Sequence, residues 1–217
     1  DQLQTTQTPL LPEAAGHFRA PTSDLELAGW GPEKVIARRA AQELRDGEAV
    51  NLGFGVSALV PRILLEEGLD GAVTWVIEQG AVGGIPFLGF AFGCAQNPDA
   101  LIPSPDQFTY LQGGGFDRAL LSFLEVDAAG NVNVTRLATR PHVTAGVGGF
   151  VDITARATNL VFSGYFTAGA RIAIDDGRVV IEKEGKFPRF VTEVQHVTFS
   201  GRRAMERGQH VTFVTER

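Results

Sequence analysis

Thr74-Trp75-Val76-Ile77-Glu78-Gln79-Gly80-Ala81-Val82-Gly83-Gly84-Ile85-Pro86 is an apolar run that stops abruptly on one carboxylate, Glu78. Trp75, Val76 and Ile77 have the β-branched and aromatic character of a central strand. The glycines behind them, Gly80, Gly83 and Gly84, let a backbone approach a ligand closely. In an open α/β sheet, ligands collect beyond the carboxyl ends of the strands. The expectation is therefore a strand over 72–77 that delivers Glu78 to the mouth of a cleft. Taken alone, an acid just after a strand is more often a turn former or a surface charge than a catalyst.

Upstream, Pro32 suits the first position of a helix whose Val35, Ile36, Ala40 and Leu44 share one face, and Gly47 supplies its stop. Ala49 to Leu52 reads as a short buried strand. It is followed by Gly53-Phe54-Gly55-Val56-Ser57-Ala58 and a helix to about Glu67, with Ser57 as its N-cap. A right-handed crossover would set the two strands side by side, with both glycine loops at one edge. Residues 1 to about 30, rich in Gln, Thr, Pro and Ala, read as a linker or an arm.

Downstream, Phe87 to Gln112 reads as a long ordered loop over the cleft, followed by Gly113-Gly114-Gly115. Strands are expected over 119–126 and 132–137 around an Asp127–Asn131 turn, and a short helix to about Ala157 after Gly146-Val147-Gly148-Gly149-Phe150. Asn159 to Ser163 is a further buried strand. Ile172–Ile174 and Val179–Ile181 flank Asp175-Asp176-Gly177 as a hairpin. The chain closes with a 194–199 segment, a helix near 200–207 and a strand over 210–214. The fold class expected is α/β: an open, mainly parallel sheet flanked by helices, with an antiparallel β-rich later part.

At 217 residues with 44% apolar content, the chain can bury a sizeable core. Its net charge of −6 argues against a nucleic-acid surface, and the pairs Arg38-Arg39 and Arg202-Arg203 read as solvated helix faces. Apolar stretches are broken well before the roughly 20 residues of a membrane-spanning helix. The single cysteine, Cys94, forbids an intrachain disulfide, fits a reducing, cytoplasmic setting, and reads as a small buried residue. His17, His142, His196 and His210 never fall at metal-ligand spacing, so no metal site is expected. The chain starts at Asp1 and its only methionine is Met205, which suggests the later part of a longer product, a processed chain or a mature secreted one.

Two short patterns point in different directions. Gly53-x-Gly55-x-x-Ala58, with an acid 25 residues after Gly53, has the form of a dinucleotide fingerprint and would suit an NAD-binding oxidoreductase. The second pattern is a series. Lys34 to Ala40, Val50 to Gly55, Glu78 to Gly84 and Gly113 to Asp117, then Gly130 to Val134, Gly146 to Phe150, Phe166 to Gly169 and Thr198 to Gly201 follow one another in an order that resembles the family I coenzyme A transferases. The similarity is to the acetate or propionate type, in which two homologous halves share one polypeptide, and it runs from about residue 30 to the end.

The resemblance implies that Glu78, in a Glu-x-Gly motif, is the nucleophile that carries coenzyme A (CoA) as a glutamyl thioester. It implies that Gly148 and Gly149 donate backbone N–H groups to an oxyanion. Gly53, Gly55, Gln79, Gly80, Gly83, Gly114 and Val147 would line the site for CoA and substrate. No permanently bound cofactor is implied, CoA being substrate and covalent intermediate. The chain resembles the later, glutamate-bearing half only: residues 1–30 would be a linker or arm, and residues 31–217 a beta-like catalytic domain cut short at its C-terminal end. The implied partners are an acyl-CoA, a short-chain carboxylic acid, the N-terminal alpha-like half and further copies in an oligomer.

A glutamate suits this chemistry. With a reference pKa of about 4.3 it is ionised at neutral pH and needs no general base. Stabilising each tetrahedral oxyanion is the harder task, where one lost donor costs about 3–4 kcal/mol. A leakier pocket would give an acyl-CoA hydrolase instead. The same scaffold could also serve as a non-catalytic module that binds a small acid or acyl-CoA.

Overall fold

The computed structural model describes residues 10–138 and 140–217. Among them, the main sheet has seven strands: β1 (Ala49–Leu52), β2 (Thr74–Val76), β3 (Ala81–Val82), β4 (Ala100–Leu101), β5 (Arg118–Ser122), β6 (Asn159–Ser163) and β7 (His210–Val214). Their order is β7-β6-β5-β1-β2-β3-β4. The first five in that order run parallel, and β3 and β4 are antiparallel additions. Since β2 lies on one side of β1 and β5 on the other, the winding reverses at β1. In open α/β sheets that reversal leaves a crevice at the carboxyl ends of the strands.

Among the described residues, five helices cover the two faces: α1 (Pro32–Ala41), α2 (Val60–Glu66), α3 (Ser104–Gln112), α4 (Phe150–Arg156) and α5 (Gly201–Glu206). Alternation along the strands assigns the faces. Val50, Leu52, Trp75, Leu120 and Val161 point into one core with Ile36, Ala37 and Ala40 of α1 and Val60, Ile63 and Leu64 of α2. Their neighbours Val76, Ala119, Leu121, Leu160 and Phe162 point into the other, with Leu111 of α3, Phe150 and Ile153 of α4 and Ala204 of α5. This period of two is what a sheet buried on both faces requires. The α/β class with an antiparallel later part is what the structure shows: Arg171–Asp175 pairs with Arg178–Lys183 across a tight turn at Asp176 and Gly177, both at positive φ.

Several local expectations are corrected. The loop expected over 87–112 contains α3, which Pro103 and Pro105 disguise although proline is tolerated in a first helical turn. The same stretch holds a small hairpin, Ile85–Pro86 paired with Ala95–Gln96. Ser57 caps no helix: it lies in a 3-10 turn, Val56–Leu59, and its Oγ donates to the Leu121 carbonyl at 2.9 Å. The strand expected over 119–126 is two, Arg118–Ser122 and Glu125–Val126. Cys94 is exposed rather than buried. Residues 10–30 lie on the body of the chain. Ala20 N donates to Asn97 Oδ1 at 2.8 Å, Gln96 Nε2 donates to the Pro21 carbonyl at 2.9 Å, and Ala28 is buried beside α1.

Asp127 ties the later part together. Its carboxylate accepts from the amides of Ala129, Asn131 and Val194 and from Asn131 Nδ2, at 2.9–3.1 Å. Burial pushes its carboxyl upward, but the Asn131 side chain and the three amides outweigh burial and hold it below the ordinary aspartate value. Asp127→Ala strands these donors and is expected to cost about 3 kcal/mol, read from denaturant midpoints. Because the native value is depressed, this stability is present above the unfolded-state value and is lost as pH falls through the native one.

Candidate active site

Glu78 sits two residues beyond the end of β2, in a turn closed by Gly80 N donating to the Ile77 carbonyl at 2.8 Å. The turn needs glycine at 80, where φ is +120° and a Cβ would overlap the Ile102 carbonyl. The Glu78 side chain is half-buried, and its Oε2 accepts from Gly149 N at 3.2 Å. Gly148 and Gly149 precede α4. Gly148 has φ +51°, and a Cβ there would lie 3.3 Å from Glu78 Oε1. A Cβ on Gly149 would overlap Glu78 Oε2 and stand 2.9 Å from the Phe108 ring of α3. Close approach of the carboxylate thus excludes a side chain at position 149.

Burial raises the Glu78 carboxyl above the ordinary glutamate value. The Gly149 N–H opposes this in part, and the negative charge of Asp152 adds to the rise. Asp152 is itself held by Gln112 Nε2 at 2.9 Å. The result is a carboxylate more basic than one in water and touched, among the described residues, by a single backbone donor.

A cleft of about 780 Å³ opens where the sheet's winding reverses. It is lined by Leu52 to Gly55 after β1, Glu78 and Gln79 after β2, Ser122 to Leu124 at the end of β5, and Gly146 to Gly148. Phe90 and Phe92 of the 85–96 hairpin form a further wall, with Phe92 edge-on to Phe54 at 5.4 Å between ring centres. Of the residues singled out from the sequence, Glu78, Gln79, Gly53, Gly55, Val147 and Gly148 line this cleft, and Gly149 reaches Glu78 from behind it.

Gly80, Gly83 and Gly114 lie outside the lining. Gly83 serves the reversal from β2 to β3, its N–H bonded to the Trp75 carbonyl at 2.8 Å and its Cα against Asp99. Gly114 ends α3 at φ +78°. Gly53 and Gly55 pack on β5: a Cβ on Gly55 would lie 2.5 Å from Ser122 Oγ. The glycine loop also fails to open directly on a helix, as a dinucleotide fingerprint requires, since the 3-10 turn intervenes before α2. Phe108, Gln107 and Asp152 were not anticipated as neighbours of Glu78. Phe90 and Phe92, aromatics in a glycine-rich segment, were the legible signal for the outer wall.

No protein-family model matches the chain. Caffeate CoA-transferase of Acetobacterium woodii is 41% identical over 209 residues, covering 95% of this chain and 40% of that protein. The beta subunit of acetate CoA-transferase from Escherichia coli K12 is 33% identical over 137 residues, covering 59% of this chain and 61% of the subunit. The acyl-CoA transferase YdiF of E. coli O157:H7 superposes as apoenzyme with TM-score 0.84 and 35% identity, over 97% of this chain and 38% of YdiF. As a thioester complex with CoA it superposes with TM-score 0.79 and 36% identity, over 89% and 36%. The chain belongs to the coenzyme A transferase family. The chain spans about 40% of the length of its long relatives and fits their beta-like half. Among its described residues no helix is long and apolar enough to cross a membrane.

Proposed function

We propose that the complete protein transfers CoA between a short-chain acyl-CoA and a carboxylic acid by a ping-pong mechanism through a glutamyl-CoA thioester on Glu78. The observation that carries this reading is a basic, half-buried carboxylate in a largely apolar cleft, bonded to one backbone N–H. A carboxylate oxygen of Glu78 attacks the acyl thioester carbon, the C–S bond breaks, and CoA thiolate leaves a mixed anhydride. The thiolate then attacks the glutamyl carbonyl, and the acyl group departs as a free carboxylate. The second acid takes the same steps in reverse. No proton is consumed, so no general base is needed.

Each addition creates an oxyanion, for which the Gly148 and Gly149 amides are the suited donors. Gln79, Gly53, Gly55 and Val147, which line the cleft, are the candidates for contact with substrate and CoA. In this reading the alpha-like half covers the open side of the cleft, and the assembly is an oligomer in the cytoplasm. The YdiF complex, a thioester with CoA, supports the covalent route by similarity.

The test is chemical trapping. The complete enzyme, incubated with acyl-CoA and then borohydride, is expected to carry a reduced side chain at Glu78, located by peptide mass spectrometry. An active enzyme whose Glu78 stays unmodified overturns the reading.

A further inference from the structure

Where β2 runs out, its last carbonyls pass from the sheet to side chains. Asn51 of β1 and Gln107 of α3 are both fully buried. Asn51 Nδ2 donates to the Val76 carbonyl at 3.0 Å, and Gln107 Nε2 donates to the Ile77 carbonyl at 3.1 Å. Val76 and Ile77 are the two residues immediately before Glu78. One amide comes from the strand beside β2 and the other from a helix on the sheet's face, so the exit of the chain is gripped by two separate elements. The Ile77 carbonyl shares a rigid peptide plane with the Glu78 nitrogen, and holding that oxygen fixes the plane from which Glu78 departs.

Satisfying the Ile77 carbonyl does not by itself account for Gln107. The Ile77 carbonyl already accepts from Gly80 N. In addition, each amide retains a buried oxygen, Asn51 Oδ1 and Gln107 Oε1, with no partner among the described residues. A leucine of similar size at either position would carry no such orphan, and buried orphans disfavour the fold. Stability alone would therefore favour an apolar residue at 107.

We propose that Asn51 and Gln107 are positioning residues of the transfer reaction, which lock the direction in which the chain leaves β2 and so keep the Glu78 carboxylate at the Gly149 amide. This rests on the reading of Glu78 as the CoA carrier. The two amides line no part of the cleft and make no hydrogen bond to Glu78's own oxygens; they act through the main chain.

The test uses the complete enzyme with Gln107→Leu and Asn51→Leu, each checked for folding by circular dichroism at the assay temperature. In the folded variants kcat is expected to fall about 100-fold, the cost of a roughly 1 Å misplacement, while KM for acyl-CoA moves less than about threefold. Wild-type kcat in both variants overturns the proposal. So does a loss of activity that only tracks the unfolded fraction, which would assign the amides a structural role. Borohydride trapping on the unsubstituted enzyme separates the two readings. Trapping at Glu78 with normal turnover in both variants removes the positioning role alone, whereas no trapping removes the glutamyl thioester.

Discussion

Glu78→Gln is expected to lower CoA transfer by about 10⁴-fold or more while leaving the fold intact, since a covalent route without its nucleophile retains only what binding and donor groups supply. Glutamine preserves the side chain's length and an oxygen able to accept from Gly149 N, so the loss isolates nucleophilicity from shape. Stability is expected to move the other way. The native carboxyl is raised above its unfolded value, chiefly by burial, so the folded state holds its proton more tightly. Stability from this group is present below the unfolded-state value and is lost as pH rises through the native one. At neutral pH the ionised Glu78 therefore weighs against folding, and Glu78→Gln should melt above the wild type at pH 7, the gap closing in acid. Melting curves at the two pH values and a transfer assay check both halves. Retained turnover, or a variant that melts lower at pH 7, contradicts them.

Gly149→Ala is expected to cost a factor of about 10² to 10³ in kcat. The backbone there has φ −77°, so alanine meets no conformational barrier. The penalty is steric. The new methyl group would take the place of Glu78 Oε2 and press on Phe108, driving the carboxylate off the Gly149 amide. Gly148→Ala is a useful contrast, because its difficulty is the left-handed φ of +51° and its Cβ would stand 3.3 Å from Oε1. Steady-state kinetics with the extent of borohydride trapping would show whether the Gly149→Ala loss lies at Glu78. Wild-type kcat for Gly149→Ala would remove the close contact from any part in the reaction.

The parallel sheet was legible because its strands are short, apolar and set off by glycine: Ala49–Leu52 and Asn159–Ser163 fall where their composition places them. The place of Glu78 at the mouth of the cleft was legible for the same reason, as a lone acid at the end of an apolar run. The α3 helix was not, because Pro103 and Pro105 and the aromatics Phe108 and Tyr110 obscure its period. With α3 hidden, Gln107 and Phe108 could not be placed beside Glu78, since their proximity depends on how that helix crosses the sheet. The glycines divided for a physical reason. A glycine can be required by a turn or by a close approach, and sequence records only that it is there. Gly80 and Gly83 turn out to serve the reversal from β2 into β3, whereas Gly149 yields its space to the carboxylate.

The two borders of the sheet differ in kind. One, β4, has two residues and offers almost nothing to a neighbour; the other, β7, is five residues long and, among the described residues, pairs with β6 alone. A strand half-paired along that length is a template for another. A strand added to this sheet would find its longest template along His210–Val214, and an exposed rail of that length is where edge-to-edge association between copies would start.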